Sequence, residues 1–148
     1  MSLQDPSAKM SKSVEGSAIM LGSDESVLRK QIKRAVTAVG DEGGVPPGVA
    51  NLFTLLEFFA GADKVEPFRK AQSDGSIRYG DLKQELADSV VEGLAPIRAK
   101  REELLANPKL VEEILGDSAA DARKVAQTVV SHARQNAGLR AKPVSISD

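Results

Sequence analysis

The segment PGVANLFTLLEFFAG, residues 47–61, has the clearest helical pattern in the chain. Its apolar side chains recur three and four residues apart, which places them on one face of an α-helix, and they are Val49, Leu52, Phe53, Leu56, Phe59 and Ala60. Pro47 suits the first turn of a helix and Gly61 suits its end. Because Leu55 and Phe58 add a second apolar side, the sequence predicts an almost fully buried helix here.

The same spacing continues on both sides of this segment. It predicts a helix from Ser23 to about Val39, ended by Gly40, and a shorter helix over 62–72. A long helix follows from about Leu82 to Leu105, and Pro96 inside it is expected to cause a kink rather than an end. A short helix over 110–115 is predicted next. The last helix ends at Gly138 and has an apolar inner face formed by Ala122, Val125, Ala126, Val129 and Ala133.

Composition supports the same fold class. The chain has four Phe, one Tyr and no Trp, and a core of this kind suits packed helices better than a β-sandwich. We therefore expect an all-α bundle of five or six helices. Because there is no Cys, disulfides, thiolate metal sites and Cys nucleophiles are excluded. No apolar run approaches the ~20 residues of a membrane span, so we expect no membrane partner and a cytoplasmic location.

The segment KMSKS, residues 9–13, lies near the start of the chain in a stretch without helical or strand periodicity. Lys9 and Lys12 are compact cations on flexible stems, which suits them to phosphate oxygens. Ser11, Ser13 and the free backbone N–H groups of a loop add donors for the same anion. For two lysines alone, a solvated basic loop is the simpler interpretation, but the complete pentapeptide favours phosphate binding.

KMSKS is the second signature of class I aminoacyl-tRNA synthetases. Over roughly residues 3–138 the chain resembles the tryptophanyl-tRNA synthetase family in Asp5-Pro6, Ile19-Met20-Leu21, Arg29 to Thr37, Gly48 to Leu52 and Tyr79 to Lys83. It departs from the family's pattern in the short linker Val14-Glu15-Gly16 and in Ala38, where an acid is common. The tyrosyl enzymes usually vary the pentapeptide, so that family fits less well.

The resemblance implies an ATP-dependent tryptophan–tRNA ligase that forms an enzyme-bound adenylate and transfers tryptophan to tRNA. It implies that Lys9 and Lys12 are catalytic, and that ATP contacts Lys9, Met10, Ser11, Lys12 and Ser13. Mg²⁺ is expected with ATP in the intact enzyme, which is expected to be a homodimer, and no metal site is expected in this chain. By itself the chain is expected to be inactive and to bind no cofactor, because the family places ATP and the amino acid on a Rossmann domain upstream.

The resemblance also implies a division into three parts. Residues 1–22 would be the KMSKS loop and a connector from the missing Rossmann domain, and this arm is expected to be flexible. Residues 23–138 would be the helical tRNA anticodon-binding domain, and residues 139–148 a flexible tail. The alternative from another class is a non-catalytic helical module that binds RNA or a protein partner.

Four further observations concern individual side chains or small groups of them. Arg29, Lys30, Lys33 and Arg34 form a positive stripe opposite the apolar face of the first helix, and they are candidate tRNA phosphate contacts or simply a solvated face. Asn51, among apolar neighbours, is expected to satisfy a backbone group rather than a ligand. His132 is expected to face solvent or another helix. The candidates for contacts with unpaired bases are Tyr79, Arg98, Arg101, Arg123 and Arg134.

Overall fold

The structure, a computed structural model, describes residues 1–37 and 44–139. Within these residues the chain contains helices only: α1 (Glu25–Lys33), α2 (Pro47–Ala60), α3 (Ala62–Ser73), α4 (Tyr79–Ala106) and α5 (Pro108–Asn136). The all-α prediction with five or six helices is confirmed. The chain divides into two compact units, Met1–Arg101 and Glu102–Asp148. The predicted domain boundaries at residues 22 and 138 remain a prediction.

The core of the first unit is built from the predicted apolar faces. Its buried side chains are Leu3, Leu28, Ile32, Ala35, Val49, Leu52, Phe53, Leu56, Val65, Leu82, Leu86, Ala87, Val90, Val91 and Leu94. Helix α2 supplies four of these side chains at the spacing predicted from its sequence. Packing of this kind, rather than helix propensity alone, stabilises short helices such as α1.

Helix α2 is less buried than predicted. Phe58 is 80% exposed and makes an edge-to-face contact with the ring of Phe59, whose centroid is 5.1 Å away. The reason is angular: at about 100° per residue, Phe58 lies opposite Val49 on the helix surface. Of the second apolar side, Leu55 is partly buried against the core as predicted, whereas the burial expected of Phe58 is wrong.

Helix α1 ends earlier than predicted, at Lys33. Ala35 is buried as expected, but it follows the helix, because the backbone N–H of Val36 donates to the carbonyl of Leu3 at 2.8 Å instead of continuing the helical ladder. Val39 and Gly40, where the sequence predicted the end, lie outside the described residues. The same is true of Ala38 and of residues 140–148 in the predicted tail.

Residues 1–22 are not a detached arm. Leu3 is only 2% exposed and belongs to the core, and its N–H donates to the carbonyl of Ser17 at 2.9 Å. The run from Ala18 to Leu21 forms no strand: Leu21 lies in a turn closed by the N–H of Ser23, which donates to the carbonyl of Met20 at 3.0 Å, and Ile19 packs against the core. The burial of Leu3, which the sequence did not indicate, attaches the start of this segment to the bundle, and the flexibility expected of residues 1–22 stays a prediction.

The second unit also differs from its prediction. Helix α5 runs without interruption from Pro108 to Asn136, so the two predicted helices are one, and Gly116 is tolerated inside it. None of its residues is buried, and Val125 and Val129 on the expected inner face are exposed. Among the described residues of this unit, the other helical segment is the last turn of α4, and one helix cannot bury its own apolar face. Helix α4 continues through Pro96, as predicted.

Candidate functional site

The KMSKS loop is held against the first unit by its own methionine. Met10 packs on the hydrophobic core, whereas Lys9 and Lys12 on either side are exposed. An apolar anchor between two exposed lysines holds the loop on the core without burying a charge. The arrangement fits the phosphate-binding role that the sequence predicted for these lysines.

Ser11 organises the backbone of this loop. Its N–H donates to the Ser17 hydroxyl at 3.1 Å, and its own hydroxyl accepts from the N–H of Ser13 at 3.3 Å. Its carbonyl accepts from the N–H of Val14, also at 3.3 Å. Three backbone groups of the loop are thus satisfied locally, which defines the path of the chain around the two lysines.

A second turn precedes the motif. The hydroxyl and the N–H of Ser7 both donate to the Asp5 carboxylate, at 2.6 and 2.9 Å. The hydroxyl contact is the main reason that the pKa of Asp5 is lowered from its usual value. Asp5 is ionised near neutral pH and serves as a local turn-forming acceptor rather than as a catalytic acid.

The side chain of Asn51 forms hydrogen bonds to backbone carbonyl groups, as the sequence predicted. Its side-chain nitrogen donates to the carbonyl of Ser2 at 3.1 Å and to that of Met1 at 3.3 Å. A carboxamide within the buried face of α2 would be costly without such partners. What the sequence did not reveal is that the partners belong to the segment carrying KMSKS.

The four predicted tRNA-contacting cations, three in α1 and Arg34 directly after it, do not share one free face. Arg29 forms an ion pair with Asp88 of α4, and this contact is the main cause of the lowered pKa of Asp88. The carbonyl of Lys33 accepts from the Lys83 ammonium group at 3.3 Å, while the Lys33 side chain is exposed. Lys30 and Arg34, one helical turn apart, line a different region.

That region is a groove of about 410 Å³ between α1 and the segment that carries KMSKS, lined by Gln4, Glu15, Gly16, Val27, Lys30, Gln31 and Arg34. Lys30 and Arg34 are exposed and line this groove together with the acidic Glu15, so they are the two predicted cations that an external anion could reach here. The structure therefore brings two of the four predicted cations, not all four, next to the KMSKS segment.

The five candidates for base stacking fall into two groups, side chains bonded within the first unit and exposed arginines. The side chain of Arg98 is only 13% exposed, and it donates to the carbonyl of Val91 and to Glu25. The hydroxyl of Tyr79 donates to Gln72 at 3.3 Å. Both are engaged inside the first unit, whereas Arg101, Arg123 and Arg134 are exposed.

His132 is exposed on α5, as expected. Residues 1–37 and 44–139 contain no cluster of three acidic or His side chains that could hold a metal ion.

Comparison with known proteins identifies the family of the chain. The family of class I tRNA synthetases for W and Y matches residues 1–95, which include the KMSKS loop and helices α1–α3. The chain belongs to this class I tRNA synthetase family. Within it, the similar curated proteins are named tryptophan–tRNA ligase.

Three of these relatives illustrate the match. The protein of Rhodopirellula baltica is 41% identical over 133 residues, covering 89% of this chain and 41% of the relative. Tryptophan–tRNA ligase 1 of Streptomyces coelicolor is 40% identical over 142 residues, with 94% and 42% covered. The Enterococcus faecalis protein is 38% identical over 152 residues, with 96% and 43% covered. The chain thus spans about two fifths of the length of these relatives.

Proposed function

We propose that this chain is the C-terminal part, beginning at the KMSKS loop, of a tryptophan–tRNA ligase. The observation that carries the proposal is an unaltered KMSKS loop whose methionine is anchored and whose two lysines are exposed, in a chain similar to tryptophan–tRNA ligases. The whole enzyme charges tRNA(Trp) with tryptophan. Charging of a tyrosine tRNA instead by the full-length protein would refute the assignment, since the family includes both specificities.

In the proposed reaction, a carboxylate oxygen of tryptophan attacks the α-phosphorus of ATP. The bond from this phosphorus to the oxygen bridging to the β-phosphate breaks, and pyrophosphate leaves with the bond's electron pair. The ammonium groups of Lys9 and Lys12 stabilise the negative charge that grows on the departing phosphates. Met10, Ser11 and Ser13 shape the loop around them. A hydroxyl oxygen at the 3′ end of tRNA then attacks the carbonyl carbon of the adenylate, the bond from this carbon to the phosphate oxygen breaks, and AMP leaves as the tryptophanyl ester forms.

Several properties belong to the intact enzyme within this proposal. ATP is its substrate, and Mg²⁺ accompanies the phosphates and reduces their charge. The enzyme is a cytoplasmic homodimer. None of the five described helices combines the length and apolar character that a bilayer crossing needs. The chain by itself is inactive, because its two lysines alone hold only one end of ATP.

The tRNA backbone contacts α1 through Lys30 and Arg34. Reversal of both charges, Lys30→Glu with Arg34→Glu, is expected to weaken binding of tRNA(Trp) to the purified chain by about tenfold or more at low salt. The slope of log affinity against log salt should become shallower by about two, because two phosphate contacts are lost. Fluorescence anisotropy with labelled tRNA at several salt concentrations measures both quantities.

The matched control is Lys70→Glu, a charge reversal at an exposed position on α3, which should change affinity much less. Equal affinities for the double variant and the unchanged chain would contradict the assigned contacts. Salt-independent binding by the unchanged chain would contradict the electrostatic account as a whole.

A further inference from the structure

A continuous chain of buried polar groups connects the middle of α2 to the KMSKS loop. It starts at Asn51, whose side chain donates to the carbonyls of Met1 and Ser2. The hydroxyl of Ser2 accepts from the Ser17 hydroxyl at 2.9 Å, and the Ser17 hydroxyl in turn accepts from the N–H of Ser11 at 3.1 Å. Ser11 is the central serine of KMSKS.

The three residues that connect α2 to the loop, Asn51, Ser2 and Ser17, are all nearly inaccessible to water. Ser2, Ser17 and Asn51 are the buried polar residues among those the structure describes, with exposures of 3%, 2% and 9%. Polar groups removed from water are tolerated only when they are satisfied, so a connected set of this kind has few alternative arrangements. The position of the Ser11 backbone is therefore coupled to a rigid helix.

Ser2 adds three more hydrogen bonds that define the start of the loop. Its hydroxyl accepts from the N–H groups of Gln4 and Asp5, each at 3.2 Å, and its own N–H donates to the carbonyl of Ala8 at 2.8 Å. Ala8 immediately precedes Lys9. The network therefore fixes the backbone directly before the first lysine and, through Ser11, directly before the second.

We propose that Asn51 and Ser17 are positioning residues for the KMSKS loop. They touch neither ATP nor tryptophan; they hold the backbone from which Lys9 and Lys12 project, so that the ammonium groups stand where phosphate charge develops. This inference rests on the proposed function for its catalytic consequence, whereas the structural anchoring is independent of it. The geometry of a catalytic cation matters because small displacements weaken transition-state stabilisation strongly.

The anchoring is tested in the purified chain by limited trypsin digestion. Ser17→Ala removes one hydroxyl at nearly constant volume, leaving the Ser11 N–H without its acceptor. Cleavage after Lys9 and Lys12 is expected to accelerate about tenfold, while cleavage after Lys64 and Lys70 in α3 stays unchanged. Asn51→Asp, which replaces the donor by an acceptor facing two carbonyls, should show the same selectivity. Ser73→Ala, which removes a hydroxyl that donates to the carbonyl of Lys70 at 2.8 Å, is the control.

The catalytic consequence is tested in the full-length protein. Ser17→Ala is expected to lower the maximal rate of tryptophan-dependent ATP–pyrophosphate exchange about tenfold, with the KM for tryptophan unchanged. Unchanged cleavage after Lys9 and Lys12 would overturn the anchor, and faster cleavage with an unchanged exchange rate would overturn its catalytic role. If the unmodified full-length protein shows no exchange, the proposed function and the catalytic role fail together, and the digestion still decides the anchor.

Discussion

Replacement of Lys12 by Ala in the full-length protein is expected to lower the rate of tryptophan-dependent ATP–pyrophosphate exchange by about 10²- to 10³-fold. Because Lys12 is exposed, its truncation should disturb the fold little, and the loss should lie in catalysis. The reason is the removal of one ammonium group from the region where charge grows on the departing phosphates. Steady-state exchange at saturating tryptophan and ATP measures the effect.

Two further variants sharpen this prediction. Lys12→Arg keeps the charge but replaces a compact ammonium group by a planar fork, so partial activity is expected. Lys70→Ala, at an exposed lysine of α3, should leave exchange unchanged. Normal exchange by Lys12→Ala would remove the assigned role of the loop, whatever the behaviour of the controls.

The second large effect is on stability and concerns Gly48, in the first turn of α2. A Cβ atom at this position would lie 2.2 Å from the carbonyl oxygen of Val36 and 2.9 Å from its carbonyl carbon. Both are backbone atoms, and the same residue's N–H is bonded to the carbonyl of Leu3. Gly48→Ala is therefore expected to reduce the free energy of unfolding by about 2–3 kcal/mol, despite the better helix propensity of Ala. Urea unfolding of the purified chain, followed by its helical signal, measures this.

Gly80 is the matched control, because it also lies in the first turn of a helix. A Cβ atom there has no neighbour within 4 Å. Gly80→Ala should therefore leave stability unchanged or raise it by up to about 1 kcal/mol. If Gly48→Ala stabilised the chain as much as Gly80→Ala, the close packing of α2 on the Val36 segment would be wrong.

The sequence predicted some parts of the fold and not others. Periodicity predicted the buried faces of α1, α2 and α4 because each depends on residues three or four positions apart. It could not predict that Val36 leaves the helix to bond with Leu3, since that partner is remote in sequence. The sequence also predicted a break near Gly116, which the continuous α5 does not have, because local propensity alone does not decide whether a helix continues.

The candidate site was predictable to a similar extent. Lys9 and Lys12 were identifiable because the pentapeptide is a contiguous signature. Asn51 was recognisable as a buried polar residue that needs a backbone partner, but not which one. Ser17 carried no signal, because an isolated serine in a loop looks the same whether it is solvated or buried. The pairing of Arg29 with Asp88, which separates it from Lys30 and Arg34, also depends on the fold.

The most direct test of the central claim is the amino-acid dependence of ATP–pyrophosphate exchange. The full-length protein is expected to exchange pyrophosphate with tryptophan and not with tyrosine, and the chain described here is expected to catalyse neither, because its KMSKS lysines hold only one end of ATP. Exchange by the full-length protein with tyrosine alone, or with neither amino acid, would contradict the assignment as a tryptophan–tRNA ligase. Robust exchange by the isolated chain would contradict the claim that it supplies only part of the active site.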